Sequence, residues 1–283
     1  MSNASSARGP RAFVIGHPVG HSRSPLIHGH WLEVHGIAGS YERVPVAPED
    51  LDGFVAGLKA AGFVGGNVTV PHKSRVLELA EAVDEAADAI GAANTLWFDE
   101  GELVAGNTDA LGFLASLDDE APGWDGTPGA ALVLGAGGAA RAVIHGLLDR
   151  GFEVAVVNRT LMRAVELAEG QDDSVWAYAW EEIPQLLRAA DLVVNTTTLG
   201  MAGQPPLTLD LAGLKRGALV VDIVYTPLET PLLAAARAAG HRAVGGLGML
   251  LHQAVPGFER WFGVRPEVTP ELRALIEADV RRG

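Results

Sequence analysis

The chain contains no cysteine, which excludes a disulfide framework, a cysteine-ligated zinc site and a thiol nucleophile. Long apolar runs are also missing. No stretch is long enough to span a bilayer, and the N-terminal MSNASSARGPRAF is polar, without the apolar centre of a signal peptide. Positive charge is scarce and scattered: 21 lysines and arginines face 35 acidic residues, for a net charge of −14 and an isoelectric point of about 5.0. No basic tract supplies the concentrated charge that nucleic-acid phosphates or an anionic membrane require. A soluble cytoplasmic protein with neither of those partners is expected.

What the chain does have is 283 residues, 48% of them hydrophobic, enough for a sizeable core and best divided into two domains. Strand-like apolar runs alternate with alanine- and leucine-rich helical stretches, which predicts an α/β fold with mainly parallel sheets. AFVIG (12–16), ERVPV (42–46) and GGNVTV (65–70) read as strands. The first helix is opened by Ser24 and Pro25, preferred cap and first-turn residues. GNTDALGFLASL reads as one connecting helix, and EAPGWDGTPG (120–129) as a linker that marks a boundary. Beyond it ALVLGAGGAARAVIHGLLDRG and EVAVVNRT read strand, glycine turn, helix, strand, with further strands at 191–195 and 218–224. There is no internal repeat. After GGLGM (245–249) an amphipathic helix and a final arginine-flanked helix close the chain, their home domain not readable from composition.

Only three of the basic residues are lysine, and Lys73 closes NVTVPHK (67–73). An ammonium can be tuned to exchange a proton, whereas a guanidinium cannot, so a lysine kept in an arginine-rich chain points to chemistry. GAANT (91–95) and GNTD (106–109) add an asparagine and Asp109 beside turn-forming glycines, the composition of a polar pocket. A carboxylate near an ammonium favours its charged form and burial the neutral one, which together leave a lysine able to donate and accept. Taken alone, Lys73 reads as a surface residue and Asp109 as a helix N-cap.

Gly135, Gly137 and Ala140 fit G-x-G-x-x-G/A between a buried strand and a helix, where backbone amides approach a pyrophosphate. The competing reading is a tight turn without ligand, but the whole βαβ context is present. The second strand ends in Asn158, where an NAD enzyme usually places an acid for the ribose 2′-hydroxyl. Arg159, Thr160 and, one turn further, Arg163 follow, two guanidiniums suited to a 2′-phosphate. Solvation of a helix face is the commoner fate of such arginines, and the missing acid tips the balance toward NADP. His17, His21, His28 and His30 cluster in sequence but carry no H-E-x-x-H, so no metal site is expected.

These motifs, with GHPVGHSRSP (16–25), GAGGAAR (135–141), NTTTLGM (195–201), DIVYTPLETPLL (222–233) and GGLGMLLHQA (245–254), closely resemble the shikimate dehydrogenase family nearly end to end. The resemblance implies NADP-dependent interconversion of 3-dehydroshikimate and shikimate by a substrate domain (1–112 with 247–283) facing a Rossmann NADP-binding domain (113–246), the C-terminal helices returning to the substrate domain. It implies Lys73 as acid/base with Asp109 as its partner. Ser22 and Ser24 would meet the substrate carboxylate; Thr69, Asn94, Asp109 and Gln253 its hydroxyls; Tyr225 would line the substrate end. Gly135, Ala136, Gly137, Gly138, Ala139, Asn158, Arg159, Thr160 and Arg163, with Glu85, Ile223 and Gly246, would serve the cofactor. Threonines at 197 and 198 and Arg23 depart from the commoner family pattern. The alternatives are a quinate/shikimate or aminoshikimate dehydrogenase and, in another class, a non-catalytic NADP-binding regulator. A monomer or homodimer is expected.

Overall fold

A computed structural model describes residues 9–169, 171 and 173–282; the polar lead at 1–8 lies outside them. The chain divides into two compact units, one of residues up to Thr108 with Ala254–Leu272, the other of Asp109–Gln253 with the residues from Arg273 on.

The first unit holds strands β1 (Arg11–Gly16), β2 (Ser40–Pro45), β3 (Phe63–Val68), β4 (Ala82–Val83), β5 (Thr95–Asp99) and β6 (Glu102–Gly106). They form one sheet in the order β2-β1-β3-β5-β6-β4. β1 pairs in parallel with β2 and β3, and β4 with β6, whereas β5 runs antiparallel to β3 and β6. The hairpin of β5 and β6 was not anticipated from the sequence. Its turn, Glu100 and Gly101, has φ of 47° and 96°, the paired left-handed conformation that matches strand twist in a two-residue loop. Beyond Arg11, β1 is apolar because both faces are covered: Phe13 and Ile15 pack with Val68 and Leu96, and Ala12 with Trp97 and Trp261. Trp261, on helix Ala254–Phe262, donates its indole N–H to Leu96 O at 2.8 Å.

The second unit holds β7 (Ala130–Leu134), β8 (Glu153–Val157), β9 (Val175–Tyr178), β10 (Leu192–Asn195), β11 (Leu219–Asp222) and β12 (Arg242–Gly245). Every pairing is parallel, in the order β12-β11-β10-β7-β8-β9. Numbered within the unit this is the doubly wound Rossmann order, which reverses between β7 and β10 and leaves a crevice at the strands' carboxyl ends. Val133, Val156 and Val194 pack under helix Gly138–Asp149, while Leu132, Val157 and Val193 meet Ile183 and Leu187 on the other face.

The contact boundaries differ from those read off the sequence. The stretch 120–129 is a loop inside the second unit, pinned by Trp124 stacked on Phe152 at 5.4 Å and by Arg150, which pairs with Asp118 at 2.7 Å and with Asp125. Residues 109–112 and 247–253 lie in the second unit because helices Asp109–Glu120 and Leu247–His252 pack closely. A Cβ on Gly112 would stand 2.5 Å from that of Gln253. From Arg273 on, helix Pro270–Arg282 joins the same unit rather than the first, with Arg273 on Glu120 at 2.8 Å. Among the described residues no helix is long and apolar enough to cross a membrane.

His28 is fully buried in the first unit. Its ring stacks on Tyr41 at 4.1 Å and lies near Phe258, Trp31 and Trp261, and neither ring nitrogen has a hydrogen-bond partner among the described residues. Burial pushes its pKa down from 6.5 to about 3, with Asn67 opposing. An unfolded chain therefore takes up this proton below pH 6.5 while the folded one does not, so stability present above that pH is lost as pH falls toward 3, at about 1.4 kcal/mol per pH unit. His28→Phe keeps the aromatic packing and removes the titration. In urea denaturation it is expected to gain about 2 kcal/mol on the wild type between pH 6.5 and pH 5; parallel pH profiles for the two proteins would refute this.

Candidate active site

In the first unit the polar residues gather where β3 runs out beside the start of β5. Val68 N donates to Asn94 O at 2.8 Å and Ala93 N to Lys73 O at 2.8 Å, which ties the Lys73 segment to the one carrying Asn94. Thr69 N donates to Ile15 O at 2.9 Å, and His17 N to Val70 O at 3.0 Å. Thr69, Lys73 and Asn94 are thus gathered at one end of the sheet, Lys73 half-buried and Asn94 buried. Asn94 has a defined orientation. Its Oδ1 accepts from Thr108 N at 2.9 Å and from Thr95 Oγ1 at 2.8 Å, and its Nδ2 donates to Thr108 Oγ1 at 3.0 Å. Because a backbone N–H can only donate, the carboxamide cannot flip.

Beneath it, Asn67 donates to Asn94 O at 3.2 Å and accepts from Tyr41 OH at 2.6 Å. Burial pushes the Tyr41 hydroxyl's pKa up, with Ser24 and Asn67 opposing, so it stays a donor. Sequence reasoning missed Asn67, Tyr41, Thr95 and Thr108. The available signal was a polar residue inside an apolar strand pattern, as in GGNVTV.

Ser22 donates to Ser24 Oγ at 3.2 Å, and Arg43 holds the Ser22 carbonyl at 2.8 and 2.5 Å. Ser24 is the first residue of helix Ser24–Val34 rather than its cap. Arg23 occupies that position without a side-chain cap bond, which leaves the Ser24 hydroxyl to pair with Ser22. Glu85, exposed at the start of helix Glu85–Ile90, also belongs to this unit.

Asp109, Tyr225, Gln253 and the remaining cofactor-side positions belong to the second unit. Asp109 is the buried first residue of helix Asp109–Glu120. Tyr225 follows β11 and is half-buried, and Gln253 Nε2 donates to Leu250 O at 3.0 Å. The glycine turn sits at the switch point. Gly135 has φ +113°, and a Cβ there would stand 2.6 Å from Thr196 Oγ1. Gly137 and Gly138 are exposed, with open space where a Cβ would point. No side chain caps helix Gly138–Asp149, so its first amides and positive dipole end face outward, as an anion requires. At the end of β8, Asn158 Nδ2 donates to Thr160 O at 2.9 Å and shapes the turn. Arg159 and Arg163 are exposed, and among the described residues neither forms an ion pair. Two uncommitted guanidiniums beside that turn suit a phosphate.

Asn195 and Asp222, fully buried at adjacent strand ends, are linked at 2.9 Å. Burial pushes the Asp222 carboxyl's pKa up, with bonds from Thr230, Val224 and Asn195 opposing. Thr197 is structural: its hydroxyl donates to Asn195 Oδ1 at 2.7 Å and accepts from Leu199 N at 3.1 Å. Ile223 O would lie 1.9 Å from a Cβ on Gly246, so only glycine fits there. Among the described residues no group of three or more histidines and carboxylates stands close enough to hold a metal.

Residues 14–96 match the family model for the shikimate dehydrogenase substrate binding domain. Residues 126–204 match that for shikimate / quinate 5-dehydrogenase, and 246–275 that for the shikimate 5′-dehydrogenase C-terminal domain. The chain is 60% identical over 271 residues to a shikimate dehydrogenase (NADP(+)) of Mesorhizobium japonicum, spanning 95% of this chain and 96% of the relative. Shikimate 5-dehydrogenase of Thermus thermophilus, solved with NADP(H) and shikimate, superposes with a TM-score of 0.82 at 39% identity, over 96% of this chain and 99% of that one. Quinate dehydrogenase of Corynebacterium glutamicum, solved with NAD, gives a TM-score of 0.88 at 31% identity over 95% and 99%.

The two ends of the glycine turn differ in tolerance. Gly135→Ala combines a disfavoured φ with a clash and is expected to cost about 1–3 kcal/mol. Gly138→Ala, at a helical position with open space, is expected to be neutral or to stabilise by up to about 1 kcal/mol. Chemical denaturation of the two variants checks the order, and equal costs would contradict it.

Proposed function

The chain belongs to the shikimate dehydrogenase family, and from that premise we propose that it reduces 3-dehydroshikimate reversibly to shikimate with NADPH. The observation that carries the cofactor choice is the end of β8, where Asn158 replaces the usual acid and Arg159 and Arg163 stand exposed without ion pairs. The residues present fit that cofactor. Exposed Gly137 and Gly138, with Gly135, Ala136 and Ala139, leave backbone amides for the pyrophosphate. Arg159 and Arg163, with Asn158 and Thr160, take the 2′-phosphate; Ile223 and Gly246, and more peripherally Glu85, complete the cofactor side.

NADPH, when bound, supplies the hydride. The chain supplies binding, orientation and the proton. Lys73 donates a proton to the oxygen that becomes the new hydroxyl and takes one back in the reverse direction, with Asp109 as the partner that positions it. Ser22 and Ser24 meet the substrate carboxylate with neutral hydroxyls. Thr69, Asn94, Asp109 and Gln253 read ring hydroxyls, and a substrate lacking one leaves a buried polar group unpaired. Tyr225 lines the substrate end. Substrate recognition is assigned to 1–112 with 247–283 and cofactor binding to 113–246, although Asp109 and Gln253 sit by contact in the second unit. The same reading places the enzyme in the cytoplasm as a monomer or homodimer.

Lys73→Ala is expected to lower kcat by about 10²–10⁴-fold while NADPH binding, measured by fluorescence titration, stays intact; unchanged turnover would sink the assigned mechanism. Specificity constants for shikimate and quinate, each with NADP and NAD, should favour shikimate with NADP. Replacing Arg159 and Arg163 by alanine should raise KM for NADP by about tenfold or more, an amount typical of lost charge-assisted bonds, and leave that for NAD nearly unchanged. A wild-type preference for quinate with NAD would overturn the reading.

A further inference from the structure

The second unit contains a fully buried carboxylate that the proposed chemistry does not use. Asp222 closes β11 directly beside Asn195, which closes β10, in parallel register, and neither it, Asn195 nor Thr230 is exposed at all. The Asp222 Oδ1 accepts from Asn195 Nδ2 at 2.9 Å and from Val224 N at 3.1 Å, and Oδ2 accepts from Thr230 Oγ1 at 2.7 Å. Three donors converge on the two oxygens, and two of them, the Asn195 amide and the Val224 N–H, can only donate, which suits an ionised carboxylate. Among the described residues no cation pairs with it, so neutral dipoles alone hold the anion. An arrangement so costly in desolvation invites a role beyond packing.

Its bonds run to the two segments that leave β10 and β11, the first beside the switch point and the second one strand further out. Asn195 uses its full capacity: Nδ2 also donates to Leu199 O at 3.1 Å, and Oδ1 accepts from Thr197 N at 3.0 Å and Thr197 Oγ1 at 2.7 Å. The first, 196–199, is thereby held against the glycine turn, where Thr196 Oγ1 would be 2.6 Å from a Gly135 Cβ. The other, 223–225, is held through Val224 N and lies against Gly246. Thr230 also accepts from Leu233 N at 3.3 Å and so caps helix Pro231–Ala238. We propose that Asp222, with Asn195 and Thr230, is a positioning residue for the cofactor: the buried carboxylate sets the spacing of the two segments that leave β10 and β11 at the carboxyl edge of the sheet, where a doubly wound fold takes its dinucleotide. This rests on the cofactor assignment above.

Thr230→Val preserves shape, leaves Oδ2 without a donor and removes the helix cap; Thr230→Ser restores both bonds. In Asp222→Asn the Thr230 hydroxyl can turn to accept, so only the charge is lost. At a temperature well below every variant's Tm and without substrate, NADPH titration should show Kd raised tenfold or more for Thr230→Val, about fivefold for Asp222→Asn, and within twofold for Thr230→Ser, kcat following the same order. A lowered Tm with Kd and kcat within twofold of wild type for Thr230→Val would overturn the proposal and leave the network a purely stabilising one. Should Thr230→Val fail to fold, Asp222→Asn carries the test: a fivefold rise supports the proposal and a Kd within twofold overturns it. Failure of the wild type to bind NADPH is a different result, which removes the cofactor assignment itself and this proposal with it.

Discussion

Parallel strands that end side by side release their chains in different directions at one edge, and something must satisfy the polar backbone that diverges there. In the second unit that demand is met by the linked side chains of Asn195 and Asp222 at the ends of β10 and β11, which bond Thr197 N, Leu199 O and Val224 N. From them follow the course of the loop after β10, the start of the helix capped by Thr230, and the close approach of Thr196 to Gly135. The glycine turn is usually credited with shaping such a crevice. Here it is one side of an arrangement whose other side is two buried side chains, and position 135 demands glycine both for its positive φ and because Thr196 leaves no room for a Cβ.

The first unit solves a similar problem with neutral groups. Tyr41, Asn67, Asn94, Thr95 and Thr108 form a continuous polar chain through an otherwise apolar region. Each interior hydrogen bond adds only about 1 kcal/mol net, but an unmade one costs the desolvation of the group, so the chain is stringent about geometry. Asn94 consequently has its carboxamide oxygen turned toward Thr108 N and Thr95 Oγ1 before any ligand arrives. A side chain fixed in advance loses less entropy on binding, which suits the substrate-reading role proposed for Asn94. Lys73 is tied to the same region through its carbonyl.

Legibility in the sequence tracked how local the physical cause was. The strands β1, β3, β7, β8, β10 and β11 declare themselves as short apolar runs, because burial on both faces demands it. The glycine turn and the arginines at 159 and 163 are also local, since spacing along one βαβ unit brings them together. The hairpin of β5 and β6 was overlooked, although D-E-G between alternating runs is a turn signal. The stretch 120–129 has the composition of a linker but is a surface loop, pinned by Trp124 on Phe152 and by Arg150. Ser24 reads as a cap, yet Arg23 takes that position. The threonine at 197, a departure in pattern, has its hydroxyl committed within the loop.

By itself the sequence determined the α/β class, the glycine turn and the missing acid after β8, and the motifs that place the chain in its family, all of which depend on neighbours within a few tens of residues. Tertiary structure alone decided where the compact units divide, how Asn94 is oriented, and that Asp222 and Asn195 share one buried network. Asp222 lies 27 positions from Asn195, on the next strand over. No periodicity links them; only the register of two parallel strands and the exclusion of water bring the carboxylate to its donors.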